Sequence, residues 1–204
     1  MRSYFLALMG MLLVSCLHAE VVLTNYGNTT GFGSSLSSLE SSIAWTSGYS
    51  GNFTSVKLRI YNSSLIANLT SLSLDFGLAS GSFTLTNVAG TGVSISQQNF
   101  GDVTFDLGTS LAFTSSESGS LYFRLNSQTF NASANWANST DPVRISSGWT
   151  GGATTGPTSG EFQLSATAAV PEPGTLLLGG IAALTGGTGV WRKRRKKATC
   201  KVNE

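Results

Sequence analysis

Short runs in the middle of the chain alternate apolar and polar residues with a period of two. In residues 55–61, Val56, Leu58 and Ile60 point one way, and Lys57, Arg59 and Tyr61 the other. Leu72, Leu74, Phe76 and Leu78 repeat the pattern, as do Phe83 with Leu85, and Val103 with Phe105 and Leu107. Leu121, Phe123 and Leu125 follow, and Phe162, Leu164 and Ala166 close the series. Such alternation predicts strands with one buried face. Short strands separated by Gly, Ser and Asn predict a mainly β domain over residues 20–169, an antiparallel β-sandwich or jelly roll. Residues 31–42 read as a loop or a short helix, and residues 148–161 as a long flexible loop before the last strand.

The two ends of the chain follow a different pattern. Residues 1–19 have Arg2 as a charged head, an apolar run from Tyr4 to Val14, and small Ala19 before a cut. This predicts a signal peptide, a helix handed to the secretion channel and trimmed by signal peptidase. Leu13, Val14, Ser15 and Cys16 also resemble a lipoprotein box, which would place a lipid on Cys16 instead. Near the other end, residues 174–191 carry no charge. As a helix at ~1.5 Å per residue they extend roughly 27 Å, enough for a bilayer core. In lipid the backbone must bond to itself, so a transmembrane helix is the predicted form despite six glycines. Arg192, Lys193, Arg194, Arg195, Lys196 and Lys197 follow directly and resist crossing, leaving 198–204 as a cytoplasmic tail.

The uneven charge excludes one class of function. The chain has twelve Lys and Arg, six of them in 192–197. Between Glu20 and Ala169 there are four cations (Lys57, Arg59, Arg124, Arg144) and eight anions, a net charge of −4. The basic balance therefore belongs to the tail. A nucleic-acid partner would need a basic face on the folded part, and none is predicted.

Pro171 and Pro173 restrict the backbone before the apolar segment, so Val170, Pro171, Glu172 and Pro173 should be extended. A protease substrate and a plain linker both suit that geometry. The order Pro-Glu-Pro, apolar stretch, basic cluster resembles the PEP-CTERM sorting signal of Gram-negative bacteria. The resemblance covers residues 170–197. It implies export by the general secretory route, recognition by an exosortase, and cleavage near Val170, Pro171, Glu172 and Pro173. It also implies an association with exopolysaccharide or biofilm. In that picture the motif is substrate, and the catalyst is another protein. The middle of the chain is loosely similar to the choice-of-anchor β domains of bacterial surface proteins, through its strand rhythm and residues 135–150.

Candidate chemistry is sparse. The only histidine is His18, and the only cysteines are Cys16 and Cys200. Residues 20–169 therefore hold no Ser-His-Asp centre, no Cys-His centre, no His- or Cys-ligated zinc and no disulfide. Asp102 and Asp106 lie on one strand face at about 13 Å, too far apart for a glycosidase pair. Asp141 and Glu161 offer oxygen ligands to calcium, but no contiguous acidic loop supports them, and no metal or cofactor is expected. Six Asn-x-Ser/Thr triplets, at Asn28, Asn52, Asn62, Asn68, Asn131 and Asn138, are formal glycan acceptors. Trp45, Tyr49, Trp136 and Trp149 are candidates for stacking on sugar rings; the alternative is that they cap the core. The sequence reads as a non-enzymatic protein, held first in the inner membrane and then at the cell surface or outside it. The runner-up is a carbohydrate-binding module acting on the cell's own or environmental polysaccharide.

Overall fold

A computed structural model describes residues 19–37, 39–154 and 160–168. The predicted signal peptide up to residue 18, the motif 170–173, the apolar stretch 174–191, the basic cluster 192–197 and the tail lie outside the described residues. The described part is antiparallel β and contains no helix. Its twelve strands are β1 (Ala19–Thr24), β2 (Thr29–Ser35), β3 (Ser41–Ser47), β4 (Gly51–Asn62), β5 (Leu72–Gly77) and β6 (Leu85–Thr91), then β7 (Asn99–Phe113), β8 (Ser118–Gln128), β9 (Ala134–Ser139), β10 (Arg144–Ile145), β11 (Trp149–Thr154) and β12 (Phe162–Ala168).

The alternation places the core as expected. Val56, Leu58 and Ile60 of β4 are buried, as are Val103, Phe105 and Leu107 of β7 and Phe162, Leu164 and Ala166 of β12. These three strands are neighbours, with Leu58 opposite both Val103 and Phe162. Cross-strand apolar pairs of this kind are the unit of sheet stability. Where the parity breaks, a register shift explains it. Phe53 is buried three residues before Val56, because the β4–β7 ladder is interrupted between Phe53 and Ser55. β4 spends two residues there while β7 runs from Leu111 to Asp106, with Gly108 at φ +61° in the turn of the bulge.

Two separate facing sheets are not what the ladder forms. Its strands follow one path, β10-β1-β12-β4-β7-β6-β5-β8-β3-β11, with β9 bridging β4 to the edge strand β2. β6 makes the join. Its Gly90 and Thr91 pair with Phe105 and Thr104 of β7, while Leu85, Val88 and Ala89 pair with β5. The two ends of the path also meet, β11 coming against β1 and β10. The sheet is barrel-like, and the core fills its interior.

Several expectations are corrected. Residues 31–42 are neither loop nor helix throughout: β2 and β3 occupy most of them, joined by a turn. Residues 148–161 include β11, hydrogen-bonded to β3 through Trp149↔Ser47 and Thr150↔Thr46. Phe83 precedes β6 and is not part of it. β5 is buried on both faces, and Asp75 on its polar side is satisfied there, accepting from the Asn87 N–H at 2.9 Å and pairing with Arg124 at 3.0 Å. Gly-rich and Ser-rich runs hid β2 and β11, since such residues lack the branched side chains that mark strands.

Candidate functional site

The three described tryptophans lie inside the barrel. Trp45, Trp136 and Trp149 are 2%, 1% and 3% exposed. Trp45 and Trp149, on the paired strands β3 and β11, form one cluster with Phe53 and Phe113, ring centroids 4.8–6.4 Å apart. Trp136 sits apart against Phe123, in a T-shaped pair at 5.1 Å, and donates from Nε1 to the Glu161 carbonyl at 2.9 Å. Tyr49 is half-buried, with its ring so close to Gly148 that a Cβ there would lie 2.1 Å away. None of the three indoles offers a face to a sugar. Burial leaves the stacking role without an exposed indole face, because each ring lies on the core side of its strand.

The carboxylates singled out by the sequence have protein partners. Glu161 is fully buried. Its Oε1 accepts from the Gly27 N–H at 3.0 Å, its Oε2 accepts from Thr29 Oγ1 at 2.7 Å, and Arg59 approaches to 3.7 Å. Asp141 accepts from the backbone and side chain of Asn28 at 3.2 and 2.8 Å. Both acids thus pin the turn between β1 and β2. Asp106 accepts from the Gly108 N–H at 2.9 Å.

Asp102 belongs to a charged row on the outer face of β4 and β7. Lys57 Nζ stands 3.1 Å from Asp102 and Arg59 Nε 3.9 Å, with the Lys57 ammonium 4.3 Å above the Tyr26 ring. Burial alone would raise the Asp102 pKa, but the Tyr26 hydroxyl, then Lys57 and Arg59, outweigh it and hold the carboxyl below its ordinary value. Tyr26 shifts the other way: burial first, then Asp102, push its pKa up. The Tyr26 hydroxyl makes no hydrogen bond of standard geometry, and it acts on Asp102 as a nearby O–H donor rather than through a well-formed bond.

One step along the same face stands an aromatic group that the sequence reading missed. Phe32 of β2 stacks on Tyr61 of β4, centroids 4.1 Å apart and planes 12° from parallel. Tyr61 in turn packs on Phe100 of β7 at 4.7 Å. Phe32 is 48% exposed. β9 lies between β2 and β4, with Ala137 opposite Phe32 and Asn135 opposite Tyr61. The two larger rings therefore close over the small residue of the strand between them. Tyr61 was assigned outward from the sequence. Phe100 shares the parity of Asp102, opposite to Val103 and Phe105, and that signal would have marked it as outward too.

The described part also has two distinct poles. Ala19 pairs with Thr167, and Ala168 with Gly51, so the sequence enters and leaves the β domain side by side. At the far end of β4, Asn62 is fully buried and joins three loops. Its amide donates to the Ala67, Ile95 and Ser96 carbonyls, and its oxygen accepts from Ser64 and Ser133. Those loops expose Leu65, Ile66 and Phe130, the last at 86%. Asn62, with every amide group engaged, is removed from the formal glycan acceptors.

No curated protein matches the chain. A family model does: the PEP-CTERM protein-sorting motif matches residues 169–195, starting at the residue after β12 ends. The chain thus carries, directly behind its β domain, the PEP-CTERM motif that implies an exported protein targeted to an exosortase.

Proposed function

We propose that this is an exported protein, processed by an exosortase, whose β domain works without catalysis at the cell surface or in an extracellular matrix rich in exopolysaccharide. Residues 1–19 would lead the chain into the secretion channel and be removed by signal peptidase. Residues 174–191 would then halt in the inner membrane, locked by the six cations of 192–197, because moving fixed charge through hydrocarbon is costly. Pro171 and Pro173 would hold 170–173 extended for the exosortase. One observation carries the reading: the sorting motif at residues 169–195 follows the last strand without an intervening domain.

The β domain suits trimming at both ends. A cut after Ala19 removes one residue from the β1 ladder and leaves the core residues Val22 and Leu23 in place. A cut at 170–173 leaves β12 whole. The non-catalytic part rests on the sequence between residues 20 and 169, which lacks His and Cys, and on the engagement of Asp102, Asp106, Asp141 and Glu161 with nearby donors.

The test is to isolate the protein from host cells with and without the exosortase, then determine its mass and its distribution between membrane and exterior. Loss of residues from both ends and release outward are expected in the wild type. An unchanged C-terminal region retained in the membrane is expected without the exosortase. Identical mass and placement in the two strains would overturn the reading.

A further inference from the structure

The outer aromatic group does no work for the core. Its rings lie on the solvent side of β2, β4 and β7, whose opposite faces already fill the barrel. Three aromatics stacked across the outside of a sheet leave an apolar surface in water, with one ring half-exposed. The rings are also held firmly. Phe32 is nearly parallel to Tyr61, which is wedged against Phe100. Each aromatic side chain has only two torsions to lose, so a ligand meets a surface already ordered.

The chemistry beside the rings narrows the ligand. Along β4 and β7 the next outward row is Arg59 opposite Asp102, and Tyr61 is opposite Phe100. The two rows are roughly 7 Å apart, two residues along a strand. Arg59 and Asp102 keep 31% and 42% of their side chains exposed, so one supplies N–H donors and the other carboxylate acceptors at the rim. An aromatic stack whose outermost ring, Phe32, is half-exposed, with charged donors and acceptors one step away, matches a sugar ring. The polarised C–H groups of one pyranose face rest on the negative π surface, and the hydroxyls at its edge reach the polar row. A protein partner of ordinary size would want a broad, largely uncharged contact core of about 800 Å². Here the aromatic surface is three rings wide and gives way at once to an ion pair. The two cations of the row, Lys57 and Arg59, are offset by Asp102 and the buried Glu161, so a strongly anionic lipid surface has little electrostatic claim on it. β2 pairs only with β9 and is otherwise an open edge, so a polymer can run across the stack past the side of the sheet.

We propose that Phe32, Tyr61 and Phe100, with Arg59 and Asp102, form a binding platform for a polysaccharide of pyranose units, the rings stacking on the sugar and the ion pair taking its hydroxyls. This rests on the reading of the protein as exported to a polysaccharide-rich exterior, and gives the β domain its ligand class. The test uses the mature protein recovered from its host. It is passed over three insoluble probes: the host's own extracellular polysaccharide, cellulose and chitin. Wild-type protein should be retained on at least one. Phe32→Ala should weaken that retention at least tenfold, and Asp102→Asn severalfold. Val21→Ala, an exposed apolar change on β1 near the paired chain ends, should not alter it. Near-ultraviolet circular dichroism of the buried tryptophans reports whether each variant is folded. No retention on any probe, or retention that survives a Phe32→Ala/Phe100→Ala double variant, overturns the platform. Correct trimming and release without polysaccharide retention would remove this site and leave the export reading standing; retention by a protein whose trimming ignores the exosortase would do the reverse.

Discussion

Two aromatic groups in this domain are built from similar side chains and have opposite fates. The inner one, Trp45, Phe53, Phe113 and Trp149, is sealed in the barrel. The outer one, Phe32, Tyr61 and Phe100, lies across the surface. Size and hydrophobicity predict that the tryptophans are the sugar platform, because an indole is the largest stacking face. Strand parity places them inside instead. An aromatic side chain in a strand takes its role from the side of the sheet it is on, and only afterwards from its chemistry.

If that contrast is right, truncation should separate the two groups by energy. Trp136→Ala, inside the barrel beside Phe123, should cost about 3–5 kcal/mol of stability, since it opens a cavity and strips the Glu161 carbonyl of one of its two donors. Chemical denaturation followed by circular dichroism measures this; a loss below about 1 kcal/mol would mean the interior is not packed as described. Glu161→Gln should come next, at about 1–3 kcal/mol, because one buried oxygen of the side chain becomes a donor facing donors from Gly27, Thr29 and Arg59. The same denaturation series reads it, and a neutral outcome would show that the turn between β1 and β2 does not depend on that carboxylate. Phe32→Ala should cost about 1 kcal/mol or less, with its main consequence in polysaccharide retention. Equal stability losses for Phe32→Ala and Trp136→Ala would erase the distinction between the groups.

The smallest effect is electrostatic. The Asp102 pKa is lowered in the folded protein, so its contribution is fully present above the ordinary carboxylate value of about 4. It is lost as the pH falls through the lower folded value. The group is partly exposed, and solvent screens it, so the contribution should be a few tenths of a kcal/mol. Comparing wild type with Asp102→Asn by thermal melts at pH 6 and near pH 3 should show the variant losing less stability on acidification. A variant with the full wild-type acid loss would place the sensitive carboxylate elsewhere.

Much of the frame was legible in the residues. Alternation at 56–60, 103–107 and 162–166 marked three adjacent strands and their buried faces, because a half-buried strand imposes a period of two. The sorting motif was legible as well, since its parts are contiguous in sequence and each acts through local properties. Residues 31–42 and 148–161 were misread because Gly, Ser and Thr leave little periodic signal, and β2 and β11 exist through pairing with strands far away in the chain. The candidate platform was half-visible: Tyr61 was seen facing outward, but no local feature joins it to Phe32, twenty-nine residues earlier, or to Phe100, thirty-nine later.

The sequence by itself determined that the domain is β, that it lacks His and Cys chemistry, and that a sorting segment follows it. Those properties depend on composition and on neighbours along the chain. Only the tertiary structure decided that the ladder runs on through β6 into a barrel-like sheet, that the three described tryptophans are sealed inside, and that three distant rings meet outside. Such outcomes depend on register, and register is set by which backbone groups pair across the sheet, through contacts between residues that are remote in the chain.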